Sequence, residues 1–309
     1  GRFAIRSGTQ SVPLGVPYYG LIPWEETMAE RLKSVGYSTA IFGKWHLGKT
    51  QGRFPTDQGF DQWYGIQDSS GDAVRWSDEW LEQYSIKSDM KDSLPINEYP
   101  WIKKSKAGEK PVRVKKFDLA AKRSIDGDLT EMTINYIKQK AKTNKPFFAY
   151  VPFTAMHFPT LPSKEFSGKS GNGIYTDQLM QVDHYVGKIS QAIKDAGIDD
   201  NTIFIFTADN GPEVAQNGNG QYSGWTGPWA GTYFTAMEGG LRAPFIAKWP
   251  NKIPKGQRSN EIVHLVDLFP TLLASAGAEL PKDRIIDGKD MNNFLKGKSE
   301  KSPREGFPI

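Results

Sequence analysis

Two histidines, a lysine and an adjacent Asp–Asn pair stand in this sequence where chemistry could be done. Lys44 and His46 fall in Gly43-Lys44-Trp45-His46-Leu47-Gly48, and His157 in Thr154-Ala155-Met156-His157-Phe158-Pro159. Asp209 and Asn210 fall in Ala208-Asp209-Asn210-Gly211-Pro212. A carboxylate beside an amide oxygen offers hard donors, suited to Ca²⁺ or Mg²⁺ and not to a soft metal. A lysine ammonium can neutralise a nonbridging sulfuryl or phosphoryl oxygen. Histidine can hydrogen-bond the same oxygens or pass a proton to a leaving group. Together these groups suit transfer of a group carrying concentrated negative charge. Singly, each has a plainer reading. Asp-Asn-Gly-Pro is an ordinary turn sequence, and a lone Lys or His after a strand is most often solvated or structurally satisfied. His184 and His264 lie inside helical patterns and take the structural reading.

The elements that must position these groups alternate strand and helix signals, which argues for a largely parallel sheet covered on both faces. Trp24-Glu25-Glu26-Thr27 opens a helical stretch to about Val35, with acids in its first turn, and Gly36 stops it. Ser38 to Phe42 reads as a short buried strand, and Ser124 to Lys142 as a looser helix. Pro146 to Phe153 is an apolar run expected to be a central strand. Tyr175, Leu179, Val182, Val186, Ile189 and Ile193 step by four and three residues, an amphipathic helix ended by Gly197. Thr202 to Thr207 is the strongest strand signal, and Phe245 to Trp249 is another. Asp267 is expected to cap a helix through Leu272 to Ala276, with Pro270 in its first turn. In open α/β sheets ligands bind beyond the carboxyl ends of the strands. Lys44 and His46, His157, and Asp209 with Asn210 each follow a predicted strand, so three strands deliver them to one edge.

Composition narrows the classes. Hydrophobic residues make up 38% and charged residues 24% of the chain, the balance of a globular protein able to bury a core. No apolar run approaches the length that spans a membrane. The absence of cysteine excludes disulfides and thiolate metal sites within these residues. A net charge of +4 is no nucleic-acid signature at this length. Much of it sits between Ile102 and Lys116, where seven Lys and Arg face only Glu109. That segment reads as a solvated insertion loop, or as a surface attracting an anionic substrate such as a sulfated glycan. Lys49 to Lys116 and Gly211 to Tyr233 read as long irregular stretches. The second, with Trp225 and Trp229, suits the rim of a site.

Gly36-Tyr37-Ser38-Thr39-Ala40-Ile41-Phe42-Gly43-Lys44-Trp45-His46 resembles the second signature of the sulfatase family. Gly1-Arg2 resembles the tail of the first signature, which carries Cys/Ser-x-Pro-Ser-Arg and ends in Thr-Gly-Arg. Thr207-Ala208-Asp209-Asn210-Gly211 is similar to the family's second pair of metal ligands, and His157 falls on its His-x-Pro histidine. Glu238-Gly239-Gly240-Leu241-Arg242-Ala243-Pro244, Asp57-Gln58-Gly59-Phe60-Asp61 and Asp267-Leu268-Phe269-Pro270-Thr271 match further family runs. The resemblance implies an alkaline-phosphatase-like α/β sandwich, with a mostly parallel central sheet and helices on both faces. It implies hydrolysis of sulfate monoesters by a formylglycine nucleophile with a divalent cation, Ca²⁺ before Mg²⁺. Lys44, His46 and His157 would contact the sulfate, Asp209 and Asn210 would hold the metal, and Tyr233, Trp225, Trp229 and Arg242 would line the substrate. Tyr233 departs from the family, which often places a lysine there.

By the family spacing the modified residue would lie about ten residues before Gly1. Residues 1–309 are therefore expected to be a partial catalytic domain, incomplete at both ends, without the nucleophile strand or the C-terminal subdomain. Such a chain is expected to turn over at background rate and to bind Ca²⁺ weakly. An edge left at Thr202 to Thr207 would favour a homo-oligomer. The resemblance implies a sulfated small molecule or glycan as partner, no nucleic acid or membrane, and a periplasmic or secreted location. Two other readings stay open: a phosphatase or phosphodiesterase of the same superfamily, and a noncatalytic anion- or glycan-binding protein.

Overall fold

The computed structural model describes residues 1–10, 19–76, 100–213 and 224–308. Its centre is a strand flanked by two parallel neighbours. β1 (Ser38–Phe42) pairs in parallel with β2 (Gln62–Ile66), placing Ile41 beside Trp63, and with β5 (Phe147–Tyr150), placing Ala40 beside Ala149. β3 (Trp101–Lys106) and β4 (Val112–Lys116) extend the sheet antiparallel beyond β2, giving the order β4-β3-β2-β1-β5. β6 (Phe204–Thr207) pairs with β7 (Phe245–Lys248) in a separate antiparallel ladder.

Alternation along β1 explains why it is buried on both sides. Ala40 and Phe42 face one core with Tyr64, Ile66, Ile102 and the helix α3 (Leu119–Lys140), through its Ile125 and Leu129. Ile41 points the other way, into a cluster of Ala29, Trp45, Phe60 and Trp63 beside α2 (Met28–Ser34). Ile125 and Leu129 are fully buried, each stabilising the fold by roughly 1.5–3 kcal/mol relative to exposure. α4 (Ile174–Asp195) lays Ile189 and Ile193 against Ile134 and Ile137 of α3, and both Phe147 of β5 and Phe204 of β6 pack on that seam. One helical layer thus supports both ladders. The order of elements is completed by α1 (Ala4–Ser7), α5 (Glu238–Leu241), α6 (Leu268–Ala276) and α7 (Asn292–Leu295).

Several expectations need correction. Glu25 and Glu26 precede α2 and are not its first turn. Thr27 is its N-cap, closed into a capping box with Glu30, while Glu25 pairs with Arg2. α3 starts five residues before Ser124 because the Asp118 carboxylate caps it, accepting from Ala121 N at 2.8 Å. The Ile102 to Lys116 segment is no loop but the β3–β4 hairpin, and Lys49 to Lys116 also contains β2. Residues 77–99 of that stretch, and 214–223 of the second long stretch, lie outside the described residues. β5 is the outer strand of its sheet among the described residues, not a central one. His264 precedes a short 3-10 turn and is not within a helix. Asp267 gives α6 no side-chain cap, because its carboxylate is committed elsewhere.

Among the described strands, β4, β5, β6 and β7 each leave one edge unpaired, and those of β5 and β6 are the apolar Phe-Phe-Ala-Tyr and Phe-Ile-Phe-Thr. Short apolar edges template pairing with other chains. The 309-residue chain by itself is expected to elute as a dimer or larger species in size-exclusion chromatography with light scattering. A monodisperse monomer of 34.6 kDa would show that these edges are covered.

Candidate functional site

After β1 the chain wedges between its neighbours. Gly43 N donates to Tyr64 O at 2.9 Å, Lys44 N to Pro152 O at 2.9 Å, Trp45 N to Ile66 O at 3.0 Å and His46 N to Gln67 O at 2.9 Å. Glycine is required at this crossing. A Cβ on Gly43 would stand 2.0 Å from Pro152 O, and one on Gly65 would stand 1.9 Å from Gly43 O. Lys44 and His46 lie close enough for the Lys44 charge to act on the His46 ring. Trp45 turns into the core, where its indole packs edge-on against Phe60 and donates to Arg53 O at 2.8 Å. His46 has φ 54°, a left-handed conformation costly for a non-glycine residue and characteristic of functional sites.

The Asp209 turn follows β6 and is clamped from outside. Gly211 N donates to Gly240 O at 2.8 Å, and Tyr233 N to Pro212 O at 3.0 Å. A Cβ on Gly211 would meet Gly239 O at 1.8 Å, so the Glu238-Gly239-Gly240 run fits only against glycine. Asn210 Nδ2 donates to Gly211 O at 2.8 Å. His157, beyond β5, sets its Nδ1 2.7 Å from Phe158 O. A carbonyl only accepts, so in the neutral ring Nδ1 carries the proton and Nε2 keeps its lone pair.

Electrostatics bring these residues into one neighbourhood. Burial lowers the Lys44 ammonium from its ordinary range, with Asp209 and Asp72 partly restoring it. Burial likewise pushes His46 down to about 4, helped by Lys44 and His157. His157 falls to about 4 through burial and Lys44, with Lys122 adding and Phe158 O and Asp209 opposing. Free of ligand, both rings are therefore neutral at pH 7 beside a lysine. Tyr233 also faces Asp209 and Glu213, and burial foremost raises its phenol, which remains a proton donor.

The structure thus brings His46, His157 and Asp209 each within electrostatic range of Lys44, and Tyr233 within range of Asp209. It does not draw the remaining substrate candidates inward. Arg242 lies over Trp229 at 4.1 Å and pairs with Glu238, while Trp225 is 86% exposed. Sequence reasoning missed Asp72, Lys122 and Asp126. Asp and Lys are common on solvated helix faces; tertiary burial distinguishes Lys122 and Asp126, and Asp72 is distinguished by its charge acting on Lys44.

The family model for sulfatases matches residues 1–278. The chain belongs to the sulfatase family. This sulfatase chain is 32% identical over 280 residues to the dog N-acetylgalactosamine-6-sulfatase, covering 88% of itself and 49% of that relative. It is 34% identical over 321 residues to human arylsulfatase A, covering 99% of itself and 58% of the relative. It superposes with TM-score 0.85 on the PsFucS1 sulfatase from Pseudoalteromonas sp., at 28% identity, covering 98% of itself and 61% of that chain. The α/β architecture is that of the alkaline-phosphatase-like sulfatases. The chain spans about half the length of the N-acetylgalactosamine-6-sulfatases it matches. Sulfatases use a divalent cation. Asp209 and Asn210 fit one in type, being hard oxygen donors, and supply two residues toward a shell of six to eight oxygens for Ca²⁺. Among the described residues no group of three or more His, Cys, Asp or Glu gathers as a metal cluster.

Proposed function

We propose that the protein carrying this chain is a sulfuric ester hydrolase that cleaves sulfate monoesters, with a sulfated sugar as its substrate class. The observation that carries this reading is that His46, His157 and Asp209, each beyond a strand end, lie within electrostatic range of Lys44 beyond the end of β1. Lys44 supplies the fixed positive charge for a nonbridging sulfate oxygen. His46 and His157 supply the hydrogen bonds, and the free Nε2 of His157 can take or return a proton at the ester or attacking oxygen. Asp209 and Asn210 would help to hold a divalent cation, which would supply positive charge to the sulfate oxygens. The sugar is supported by the similarity to N-acetylgalactosamine-6-sulfatase.

The test uses the full-length gene product with 4-nitrophenyl sulfate and 4-nitrophenyl phosphate. Turnover of the sulfate should exceed that of the phosphate, and Lys44→Met should lower kcat for the sulfate by about 10²–10³-fold, the loss typical of one electrostatic donor. Faster phosphate turnover, or an unaffected Lys44→Met, would refute the reading.

Anion binding also carries a pH signature. Both histidines are neutral in the free site, so a bound sulfate dianion raises their proton affinity and binding takes up protons. Inorganic sulfate should bind up to about tenfold more tightly per pH unit for each proton taken up between pH 7 and pH 5. Calorimetry in buffers of different ionisation heat should register proton uptake. A pH-independent affinity without uptake would exclude the histidines from the anion site.

A further inference from the structure

Beneath the loop that carries His157 lies a charged pair that the chemistry above does not use. Lys122 and Asp126 sit one turn apart on α3, each 1% exposed, and Thr154 between them is 0% exposed. Asp126 Oδ1 accepts from Thr154 N at 2.7 Å and from its Oγ1 at 3.0 Å, and Oδ2 accepts from Ala155 N at 3.0 Å. Lys122 Nζ donates to Thr154 O at 2.9 Å and to Thr154 Oγ1 at 3.1 Å. The N–H, the carbonyl and the hydroxyl of Thr154 are therefore all held by two side chains of one helix.

Burying two charges is expensive, and apolar residues of similar volume often give equal or greater stability. Stability alone therefore does not account for the arrangement. Position does: the clamped residues are the third and second before His157, and α3 is the rigid element under the sheet. We propose that Lys122 and Asp126 are positioning residues, which lock Thr154 and Ala155 so that the His157 ring meets the sulfate at a fixed place. This rests on the reading of His157 as a sulfate contact. The groups facing His157 are Lys44 and His46 from the β1 side, Lys122 from α3, and Asp209 from the β6 turn, with Phe158 O on Nδ1. Lys122 thus also adds a buried cation that opposes protonation of the ring.

The experiment compares Lys122→Met, Asp126→Asn and Thr154→Val with Thr133→Val, a buried control on the same helix, in full-length protein with labelled histidine. Lys122→Met should raise the NMR titration midpoint of His157 by about one pH unit, leaving His184 and His264 unmoved. Asp126→Asn and Thr154→Val should shift the His157 resonances. They should also lower kcat for 4-nitrophenyl sulfate roughly 10- to 100-fold with KM nearly constant, as misplaced groups do. Thr133→Val should do neither. Should Asp126→Asn fail to fold, Lys122→Met and Thr154→Val carry the test. Folded variants whose His157 resonances and titration match the parent would overturn the proposal. A His157→Ala protein with unchanged kcat would instead overturn the sulfate-contact reading, leaving the spectroscopic arm to decide the positioning.

Discussion

On acidification from pH 6.5 to pH 4, the ligand-free protein is expected to lose about 3–6 kcal/mol of stability through His46 and His157 alone. Each ring has its pKa lowered from the ordinary 6.5 to about 4, first by burial and then by neighbouring cations. The unfolded chain therefore binds more protons than the folded one across this window, and stability rises with pH wherever that holds. Above pH 6.5 the rings are neutral in both states and the contribution is flat. Below about 4 both states are protonated and the loss is complete. Each ring accounts for about 3 kcal/mol at most, since one pH unit corresponds to about 1.4 kcal/mol. The two rings repel one another when charged, so the sum is not strictly additive. Urea unfolding of the full-length protein at several pH values measures the slope. His46→Gln with His157→Gln should flatten the curve between pH 6.5 and pH 4, whereas a slope unchanged by both substitutions would mean the rings are not desolvated as described. Saturating sulfate should flatten it too, by favouring the protonated rings. This is the same linkage as the proton uptake on anion binding.

The parts of the fold legible in the sequence were those with a clear period or run. β1 coincides with its apolar run, and α4 follows the four-and-three spacing of its apolar residues, because burial on one face imposes that pattern. β3 and β4 carry no such pattern. Ile102 and Ser105 are buried in β3, but β4 is exposed throughout, and Arg113 over Trp101 at 5.0 Å holds the hairpin where an apolar face would otherwise be expected. Their ladder comes from backbone pairing of β3 with β2 and of β4 with β3, which composition does not reveal. The site divides in the same way. Lys44, His46, His157 and Asp209 each follow a strand, so the rule that sites form at strand ends finds them. Lys122 and Asp126 lie within a helix whose sequence reads as amphipathic only loosely. Their burial depends on the sheet edge they meet, which a single sequence does not show. Trp225, expected at the rim of a site from its glycine-rich surroundings, is 86% exposed.

Removing the Arg304 guanidinium is expected to cost about 3–5 kcal/mol, the range for breaking a buried ion pair from one side. Asp267 is fully buried and Arg304 is 6% exposed. Arg304 Nε donates to the Asp267 carboxylate at 2.7 and 3.0 Å, and Nη2 adds a further bond to it and one to Asp287 O at 2.8 Å. The same carboxylate accepts from His264 N and Lys289 N, each at 2.8 Å. One group thus joins the turn before α6, the Lys289 strand of chain and the C-terminal segment. In Arg304→Ala the carboxylate keeps its two backbone donors but loses its counter-charge at a fully buried position. Replacing both partners, as Asp267→Leu with Arg304→Met, removes the stranded charge but leaves His264 N and Lys289 N unpaired, at roughly 1–3 kcal/mol each. The double variant is therefore expected to be less destabilised than the sum of the two single variants, and still below the parent. Its pH dependence has the opposite origin to that of the histidines. Burial opposes ionisation of Asp267, but hydrogen bonds from Arg304, Lys289 N and His264 N outweigh it and hold the carboxyl below the usual 3.8. That contribution is present above pH 3.8 and is lost as pH falls through the lower folded value, so it lies beneath the histidine window. Arg304→Ala should thus weaken the protein at pH 7, and because burial then acts on Asp267 without its counter-charge, part of that loss should be recovered on acidification as the stranded carboxyl takes up a proton. A variant within about 0.5 kcal/mol of the parent, the range of an ordinary surface substitution, would show that the pair is not buried as the structure places it.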